Sequence, residues 1–338
     1  MHAIVYTRNG DPDVLELSDR PVPEPGPGEV LVRVARSGVN PTDWKSRQSR
    51  PPEAGWQITN QDGSGRIEAV GTGVDSVLVG ERVWIWEAAW QRPWGTAAEY
   101  TVVPVRRTVL LPAGASYDVG AALGVPFLTA HRCLTVGETM PDRLDPGALT
   151  GREVLVQGGA GAVGNAAIQL ARWADATVLA TVSSPEKAQL AAAAGADHVI
   201  NYREQDVVSE VHKIVPNGVD AIVEVAPFTN TRMDAEVIGL HGAVAAYADG
   251  DGPEVTLPVR KLMTLNVRWQ FVLLYTAPAA AKAAAVEDIN AAVADGAVRV
   301  GDEAGLPLHL YPLDGLAQAH AAVQGGAVGK VLVAVADM

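Results

Sequence analysis

A glycine-rich segment in the middle of the chain, VLVQGGAGAVGNAAIQLA at residues 154–171, constrains the fold more than any other feature. Gly159, Gly161 and Gly164 form the pattern G-x-G-x-x-G between an apolar run typical of a strand and a run typical of a helix. The first glycine permits a tight turn, the second lets the backbone approach a pyrophosphate, and the third lets helix and strand pack closely. Free N–H groups at the start of the helix would bind the pyrophosphate. The turn residues that we expect to bind a dinucleotide are Gly159, Ala160, Gly161, Ala162, Val163 and Gly164.

Alternating strands and helices around this turn indicate an α/β domain. Residues 153–157 and 177–182 have the composition of buried strands, and residues 164–174 and 185–194 that of helices. Such alternation is typical of βαβ units on a parallel sheet. Glycines also mark ordinary tight turns, so this context is what favours a dinucleotide site, and the mid-chain position favours a nicotinamide cofactor over FAD.

The first third of the chain has a different pattern. Short β-favouring runs at residues 3–6, 30–36, 65–70, 82–86 and 98–103 are separated by glycines and prolines. Short strands at irregular spacing predict a small antiparallel barrel or sandwich. A chain of 338 residues exceeds one ordinary core, so we expect two domains.

Composition excludes several functional classes. The chain has 39 acidic and 26 basic residues and a formal charge of -13, which would repel the phosphate backbone of a nucleic acid. Cys133 is the only cysteine, so no intrachain disulfide is possible and a reducing compartment is natural. The sequence has neither a secretory signal pattern nor an apolar run long enough to span a membrane. We therefore expect a cytoplasmic protein that binds neither nucleic acid nor membrane.

The residues after the second strand of the α/β domain indicate the type of nicotinamide. A site that prefers NAD usually offers Asp or Glu to the ribose 2′-hydroxyl at this point. This chain has Ser183, Ser184 and Lys187 there, and hydroxyls with a cation suit a 2′-phosphate. The serines could also simply cap a helix, which is compatible with the same role. The predicted cofactor is NADPH.

Several motifs in sequence order give the chain a wider resemblance. It is similar to the zinc-free quinone oxidoreductases of the zeta-crystallin type, within the medium-chain dehydrogenase/reductase superfamily. The resemblance spans nearly the whole length. The motifs that carry it are GVNPTDWK (38–45), NQDGSGRIEAVGTGV (60–74), GERVW (80–84), LTA (128–130), QGGAGAVG (157–164), GADHVINY (195–202) and GKVLV (329–333).

The resemblance implies a fold and a domain order. The fold class would be α/β, with a Rossmann doubly wound parallel sheet domain and a GroES-like β-barrel-type catalytic domain. We expect the catalytic domain to comprise residues 1–124 and 276–338, and the Rossmann domain to comprise residues 125–275. The apolar stretch at 265–275 would carry a strand that pairs across a homodimer interface.

The resemblance also implies roles for single residues. Thr129 would help to hold the nicotinamide amide, Tyr202 would flank the 2′-phosphate, and Lys330 would lie near the cofactor. Phe271 is a further candidate for cofactor contact. The plain alternatives are a surface aromatic for Tyr202 and a solvated charge for Lys330.

Residue types make a catalytic zinc ion improbable. Zinc sites are built mainly from Cys and His, and no Cys or His occurs between His2 and His131. Where zinc alcohol dehydrogenases of this superfamily place such ligands, the chain has Ser37 or Val39 and Gln61. We therefore expect no bound metal.

The segment NPTDWK supplies the candidate catalytic residues. Without a Lewis acid, reduction of an electron-poor C=C bond by a hydride is easier than oxidation of a simple alcohol, because the enolate needs only hydrogen-bond donors and a proton. Asn40 is a candidate donor to the nicotinamide ribose or to the substrate carbonyl. Asp43 and Lys45 could orient the substrate or stabilise the enolate. Alternatively, the segment is a turn and helix cap, with Asp43 and Lys45 merely exposed.

Tryptophan is concentrated in the first domain, which holds six of the eight within residues 44–94. Flat aromatic walls would suit a planar quinone or enone, and Trp44 and Trp56 are the candidates for substrate contact. Packing in the core is the alternative. We expect Asp234 to lie on a solvated face.

These observations predict a zinc-independent, NADPH-dependent reductase of quinones or α,β-unsaturated carbonyl compounds that acts on a small molecule as a homodimer. One alternative is an enoyl-thioester reductase, which would place basic residues such as Arg47 and Arg50 where they can meet phosphate. The other is an NADPH-binding protein without turnover.

Overall fold

The computed structural model describes residues 1–249, 252 and 254–338. The chain forms two compact units. The first comprises Met1–Val125 and Leu308–Met338, and the second comprises Pro126–Pro307.

The secondary structure follows the predicted pattern closely. In the described part of the chain the strands are β1 (His2–Tyr6), β2 (Glu16–Asp19), β3 (Glu29–Val39), β4 (Gln57–Ile58), β5 (Asp62–Val70), β6 (Arg82–Ile85), β7 (Tyr100–Pro104), β8 (Thr108–Leu110), β9 (Glu153–Val156), β10 (Thr177–Val182), β11 (His198–Asn201), β12 (Val219–Glu224), β13 (Ile238–Ala246), β14 (Arg268–Phe271), β15 (Leu308–Pro312) and β16 (Lys330–Ala334). The helices are α1 (Pro41–Ser49), α2 (Tyr117–Leu134), α3 (Ala162–Trp173), α4 (Pro185–Ala194), α5 (Val207–Ile214), α6 (Pro227–Val237), α7 (Val259–Thr264), α8 (Ala279–Ala294) and α9 (Leu316–Gln324).

The second unit is built on a parallel sheet of six strands in the order β11-β10-β9-β12-β13-β14. The central strands are mostly apolar because helices cover both faces, and Val154, Leu155 and Val156 of β9 are completely buried. The strand order reverses between β9 and β12, which is where doubly wound sheets bind ligands. The predicted fold class is confirmed.

The first unit is mostly antiparallel. A seven-stranded sheet follows the path β15-β16-β3-β5-β6-β8, and β7 pairs with β3. A smaller sheet has the order β2-β1-β4. The long strand β3 is the centre of the larger sheet, since it pairs with β16, β5 and β7. It therefore determines which residues of those strands become neighbours.

The boundary between the units differs from the one expected from the sequence. Residues 276–307 belong to the second unit, whereas the sequence placed them with the catalytic domain. Hydrogen bonds explain the difference, because the α3 side chain of Asn165 donates to the Ala304 carbonyl over 2.9 Å. The Gln169 side chain likewise pairs with the backbone of Arg299. Local sequence patterns do not indicate these long-range contacts.

No helix among the described residues combines the length and the apolar character needed to cross a bilayer.

Two glycines of the turn between β9 and α3 give a matched test of this packing. A Cβ atom at Gly164 would lie 2.3 Å from the Gly158 carbonyl oxygen, whereas one at Gly161 would lie 3.4 Å from it. Overpacking of rigid backbone destabilises by about 1–3 kcal/mol. We therefore expect Gly164→Ala to lower the melting temperature measurably and Gly161→Ala to leave it nearly unchanged. Equal melting temperatures for the two variants would contradict the close packing of helix and strand.

Candidate active site

A buried polar cluster in the first unit holds Asn40, the first candidate catalytic residue. The Lys330 ammonium donates to Asn40 Oδ1 over 2.7 Å, and Asn40 Nδ2 donates to Asp62 Oδ2 over 2.7 Å. Lys330 Nζ is also 3.6 Å from Asp62 Oδ2. All three side chains are at most 2 % exposed. Lys330 is therefore not a solvated charge, and both ends of the Asn40 carboxamide are fixed.

Strand register brings these three residues together. Asn40 follows the last residue of β3, Asp62 begins β5, and Lys330 begins β16. β3 lies between the other two strands, with Gly38 paired to Asp62 on one side and to Leu332 on the other. Neighbouring strands that end at the same edge present their terminal side chains to one another.

Asp43 completes the cluster from the first turn of α1. The Asn40 backbone N–H donates to Asp43 Oδ2 over 2.7 Å, and the Asp43 N–H donates to the Asn40 carbonyl over 3.0 Å. Burial, reinforced by the Asp62 carboxylate, raises the pKa of Asp43 to about 8. The protonated form of Asp43 is therefore favoured at neutral pH. Asp43 does cap α1, as the alternative interpretation predicted, but it is buried, at 2 % exposure, rather than exposed.

Asp62 carries the negative charge of the cluster. Burial raises its pKa, while the Lys330 ammonium and hydrogen bonds lower it. The Val125 N–H, in α2, lies 2.9 Å from both carboxylate oxygens. A Cβ atom at Gly124 would lie 2.0 Å from Asp62 Oδ1, so only glycine lets the helix approach this closely.

A second layer of buried polar groups supports the cluster. Asn60 Nδ2 donates to Ser37 Oγ over 2.9 Å, and Ser37 Oγ lies 2.7 Å from Thr96 Oγ1. His320 Nε2 lies 3.0 Å from Asn60 Oδ1. Burial lowers the pKa of His320 to about 3, with a smaller effect from the Arg47 charge. His320 is therefore neutral, and it must donate from Nε2 to the Asn60 carbonyl oxygen.

The other candidates from the NPTDWK segment and its surroundings lie apart from this cluster. Lys45 is on the exposed side of α1, with its ammonium 5.9 Å from the ring of half-buried Trp44. Trp56 packs edge-on against Trp94 with ring centroids 4.9 Å apart, and the Arg20 guanidinium lies 4.1 Å from its ring. A role of Trp44 or Trp56 in substrate contact stays a prediction.

Arg47 does not lie where the enoyl-thioester alternative requires it. It is completely buried, and its guanidinium donates to the Gly10 carbonyl and lies 3.4 Å from Gln324 Oε1. These contacts use the Arg47 donors within the unit, whereas Arg50 is exposed.

The glycine-rich turn of the second unit has the shape that a pyrophosphate requires. Gly158 has a φ of +70°, and the Gly159 N–H donates to the Thr181 carbonyl over 3.0 Å. Gly161 precedes α3 as its N-cap. Because a Cβ at Gly161 would meet only the Gly158 oxygen at 3.4 Å, the space in front of the helix N-terminus is open to a ligand. The turn therefore fits a dinucleotide.

The predicted 2′-phosphate residues form one group at the end of β10. Ser184 caps α4 by accepting from the Lys187 N–H over 3.3 Å. The Lys187 ammonium donates to Ser183 Oγ over 3.0 Å. Tyr202 follows β11 and is 51 % exposed. This arrangement offers a cation and hydroxyls, and the exposed Glu186 carboxylate in the first turn of α4 hydrogen bonds to Ser184, which lowers the pKa of Glu186.

The remaining cofactor candidates differ in exposure. Thr129 in α2 is 5 % exposed, and Phe271 at the end of β14 is 60 % exposed. Both assignments stay predictions.

A pair of buried carboxyl groups lies beside the turn, and the sequence analysis missed it. Asp234 is completely buried rather than solvated, as is Glu224. Gln157 Nε2 donates to Asp234 Oδ1 over 3.1 Å, and Asn230 Nδ2 donates to Glu224 Oε2 over 3.1 Å. Burial and the neighbouring Glu224 charge raise the pKa of Asp234 well above its ordinary value. Burial also raises the pKa of Glu224, so the environment of the pair favours the protonated form, most strongly at Asp234.

Gln157 links this carboxyl pair to the turn. It is the residue before Gly158, and its Oε1 accepts from Thr181 Oγ1 over 2.5 Å. Thr181 Oγ1 in turn accepts from the Gly158 N–H over 3.3 Å. Asp234 of α6 is thus part of the support for the turn.

Comparison with known proteins identifies the family. Residues 26–113 match the alcohol dehydrogenase GroES-like domain, and residues 162–291 match the family described as zinc-binding dehydrogenase. The quinone oxidoreductase of Lama guanicoe is 32 % identical over 342 residues, which cover 98 % of this chain and 97 % of that protein. The chain belongs to the quinone oxidoreductase family of the medium-chain dehydrogenase/reductase superfamily.

Other relatives and solved structures agree with this family. The synaptic vesicle membrane protein VAT-1 homolog of Rattus norvegicus is 32 % identical over 80 % of this chain and 64 % of its own length. A mycobacterial structure complexed with NADPH is 28 % identical, with a TM-score of 0.82 and coverage of 99 % of this chain and 100 % of that one. A mycobacterial quinone oxidoreductase, also 28 % identical, has a TM-score of 0.84 and the same coverage.

For this family member, sequence reasoning found Asn40, Asp43 and Lys330 but missed their partner Asp62. An available signal was the position of Asp62 inside the glycine-rich strand segment QDGSG, because an acid in a buried strand must find a partner.

The carboxyl pair predicts a specific pH dependence of stability. Since the pKa of Asp234 is raised from 3.8, the unfolded chain releases this proton at a lower pH than the folded chain does. Stability is therefore lost as pH rises from about 4 towards the folded pKa. Asp234→Asn keeps an oxygen that can accept from Gln157 but cannot ionise, so we expect its urea stability to fall less than that of the wild type between pH 4 and pH 9. The exposed neighbour Glu236→Gln serves as control, and identical pH profiles for wild type and Asp234→Asn would contradict the raised pKa of Asp234.

Proposed function

We propose that the chain is a zinc-independent, NADPH-dependent reductase of quinones or α,β-unsaturated carbonyl compounds. The observation that carries the proposal is the fixed carboxamide of Asn40, held by Lys330 and Asp62 inside a fully buried cluster. Family membership supports an oxidoreductase. The NADPH complex of the mycobacterial relative supports the cofactor.

The residues that would hold NADPH are those of the glycine-rich turn and the group after β10. The turn and the N-terminus of α3 suit the pyrophosphate, and Ser183 with Lys187 suits the 2′-phosphate. Thr129, Tyr202 and Phe271 are the further proposed contacts, and Lys330 acts through Asn40. NADPH, when bound, supplies the hydride for the reaction.

Asn40 stabilises the negative charge that develops on the substrate oxygen. One N–H of its carboxamide is used by Asp62, and the second is left to donate to a carbonyl or quinone oxygen. Because Lys330 hydrogen bonds to Oδ1, it withdraws electron density from the amide and makes the remaining N–H a stronger donor. A donor fixed before the reaction needs no reorganisation as the charge forms.

The protonated Asp43 keeps the cluster electrically neutral. Lys330 and Asp62 cancel each other, and a second carboxylate would place an uncompensated charge beside the developing enolate. The raised pKa of Asp43, about 8, prevents this at neutral pH. Asp43 thereby preserves the donor strength of Asn40.

Residue types support independence from zinc. Ser37 Oγ is bonded to Thr96 and Asn60, and Gln61 Oε1 accepts from the Ala89 N–H over 3.1 Å. Among the described residues, no group of three His, Cys, Asp or Glu side chains has the geometry to hold a metal ion.

The direct test compares NADPH oxidation with a quinone and with a small enone, with products identified by mass. We expect turnover of at least one acceptor, and Asn40→Ala to lower kcat by about 10²-fold, the usual effect of removing one preorganised donor. Lys45→Ala is the matched variant on the exposed side of α1, and we expect a smaller effect there. NADPH binding without turnover of either acceptor would refute the proposal, and a larger loss in Lys45→Ala than in Asn40→Ala would give Lys45 the chemical role instead.

We also propose a homodimer formed through β14. This edge strand pairs with β13 on one side, and Phe271 and Leu273 beside it are 60 % and 57 % exposed. Unpaired strand edges with apolar neighbours favour pairing with a second copy.

Leu273→Glu tests this interface, because it places a charge in the proposed contact. By light scattering we expect a dimer for the wild type and a monomer for Leu273→Glu. Leu17→Glu is the control, since Leu17 is 55 % exposed and lies in β2 of the first unit. A monomeric wild type would contradict the proposal.

A further inference from the structure

Three arginines lie side by side across the sheet of the first unit. The strand register pairs Arg33 of β3 with Arg66 of β5, and Arg66 with Arg82 of β6. Residues directly opposite on neighbouring strands point to the same face with Cβ atoms about 4.5–5.5 Å apart, and like charges in this position repel each other. Within the described part of the chain, neither Arg33 nor Arg66 forms an ion pair that relieves this repulsion.

A cavity adjoins this arginine row. It has a volume of about 320 Å³, and Arg66 and Arg82 of the row line it together with Arg36, Ser116, Tyr117 and Asp118. The volume is in the range of a site for a small ligand. Two arginines that already repel each other therefore line the same open cavity.

The cavity walls are held in place by other contacts. Arg36 Nε donates to Asp118 Oδ1 over 2.8 Å, and the Arg82 guanidinium donates to the Ala115 carbonyl and lies 4.7 Å from the Tyr117 ring. The Tyr117 hydroxyl is buried, and among the residues that the structure describes it has no hydrogen-bond partner. Of the three arginines that line the cavity, Arg66 is the exposed one, so its donors are available to a ligand.

The local charge is opposite to that of the whole protein. Three guanidinium groups line the cavity, and Asp118 is the carboxylate among the lining residues. The Asp337 carboxylate lies 4.0 Å from the Arg36 guanidinium. The net charge of the chain is -13. A positive patch on such a protein selects small anions, because the surrounding field repels large polyanions. The forked donors of arginine match the oxygens of a phosphoryl group.

We propose that Arg36, Arg66 and Arg82 form a binding site for a small phosphorylated molecule. It shares no residue with the groups proposed above to hold NADPH. The phosphoryl oxygens would accept from the Arg66 and Arg82 guanidinium groups and offset their mutual repulsion. The buried hydroxyl of Tyr117 supplies a further donor.

Phosphate titration of the full chain tests this site. Calorimetry with inorganic phosphate and with glycerol phosphate, at constant ionic strength and with NADPH in excess, measures binding outside the cofactor residues. We expect both probes to bind the wild type, and Arg66→Ala to weaken binding at least tenfold. Arg8→Ala is the control, since Arg8 is exposed in the same unit, and it should bind as the wild type does.

Thermal unfolding separates a ligand site from a structural role. Because Arg66→Ala relieves like-charge repulsion, we expect its melting temperature without phosphate to equal or exceed that of the wild type. Adding phosphate should raise the melting temperature of Arg66→Ala by less than it raises that of the wild type or of Arg8→Ala. No binding by the wild type, or equal phosphate responses in wild type and Arg66→Ala, would overturn the proposal. Either outcome is independent of whether the enzyme reduces quinones or enones.

Discussion

The buried ammonium of Lys330 determines how the first unit is organised around Asn40. Removing an ammonium from water is unfavourable by several kcal/mol unless a counter-charge and hydrogen bonds replace the water. Asp62 supplies the charge and Asn40 the acceptor, which requires β3 to lie between β5 and β16. Burial of this ammonium also requires glycine at Gly38 and Gly124, because a Cβ atom at either position would collide with the cluster or with α2. Asn40 is rigid as a consequence of the way the charge is buried.

In the second unit, buried polar groups are also paired with one another, and there the pairs support the glycine-rich turn. Its glycine-rich turn leaves N–H groups free for a ligand, so the turn needs support from behind. Gln157 provides that support through Thr181 on one side and through Asp234 on the other. Burial and the neighbouring Glu224 charge raise the pKa of Asp234, which limits the negative charge placed beside this support. In both units one carboxyl group stays protonated because two buried carboxylates would repel each other.

Local sequence patterns predicted the strands and helices well, because residues close together in the sequence determine most of them. The strands around Val154 and Val178, the helix after Gly161 and the cap at Ser184 follow from apolar runs, glycines and capping residues. The partners Gln157 and His320 could not be predicted, since each bond joins residues far apart in sequence and depends on strand register, and the sequence could show only that Asp62 needs a partner, not which one. Asp234 was misjudged for the same reason, because an acid on a short helix looks solvated until the sheet beneath it is known. The arginine row also exists only in the folded sheet.

The most direct measurement of the central claim is the fate of a deuterium label carried on C4 of NADPH, with a small enone as acceptor. Mass and NMR spectra of the product locate the label. If Asn40 stabilises an enolate as proposed, the product is the saturated ketone with one deuterium on the β-carbon, and Asn40→Ala forms the same product more slowly. Deuterium on the carbonyl carbon of an allylic alcohol, or recovery of unlabelled enone while NADPH is consumed, would contradict the account.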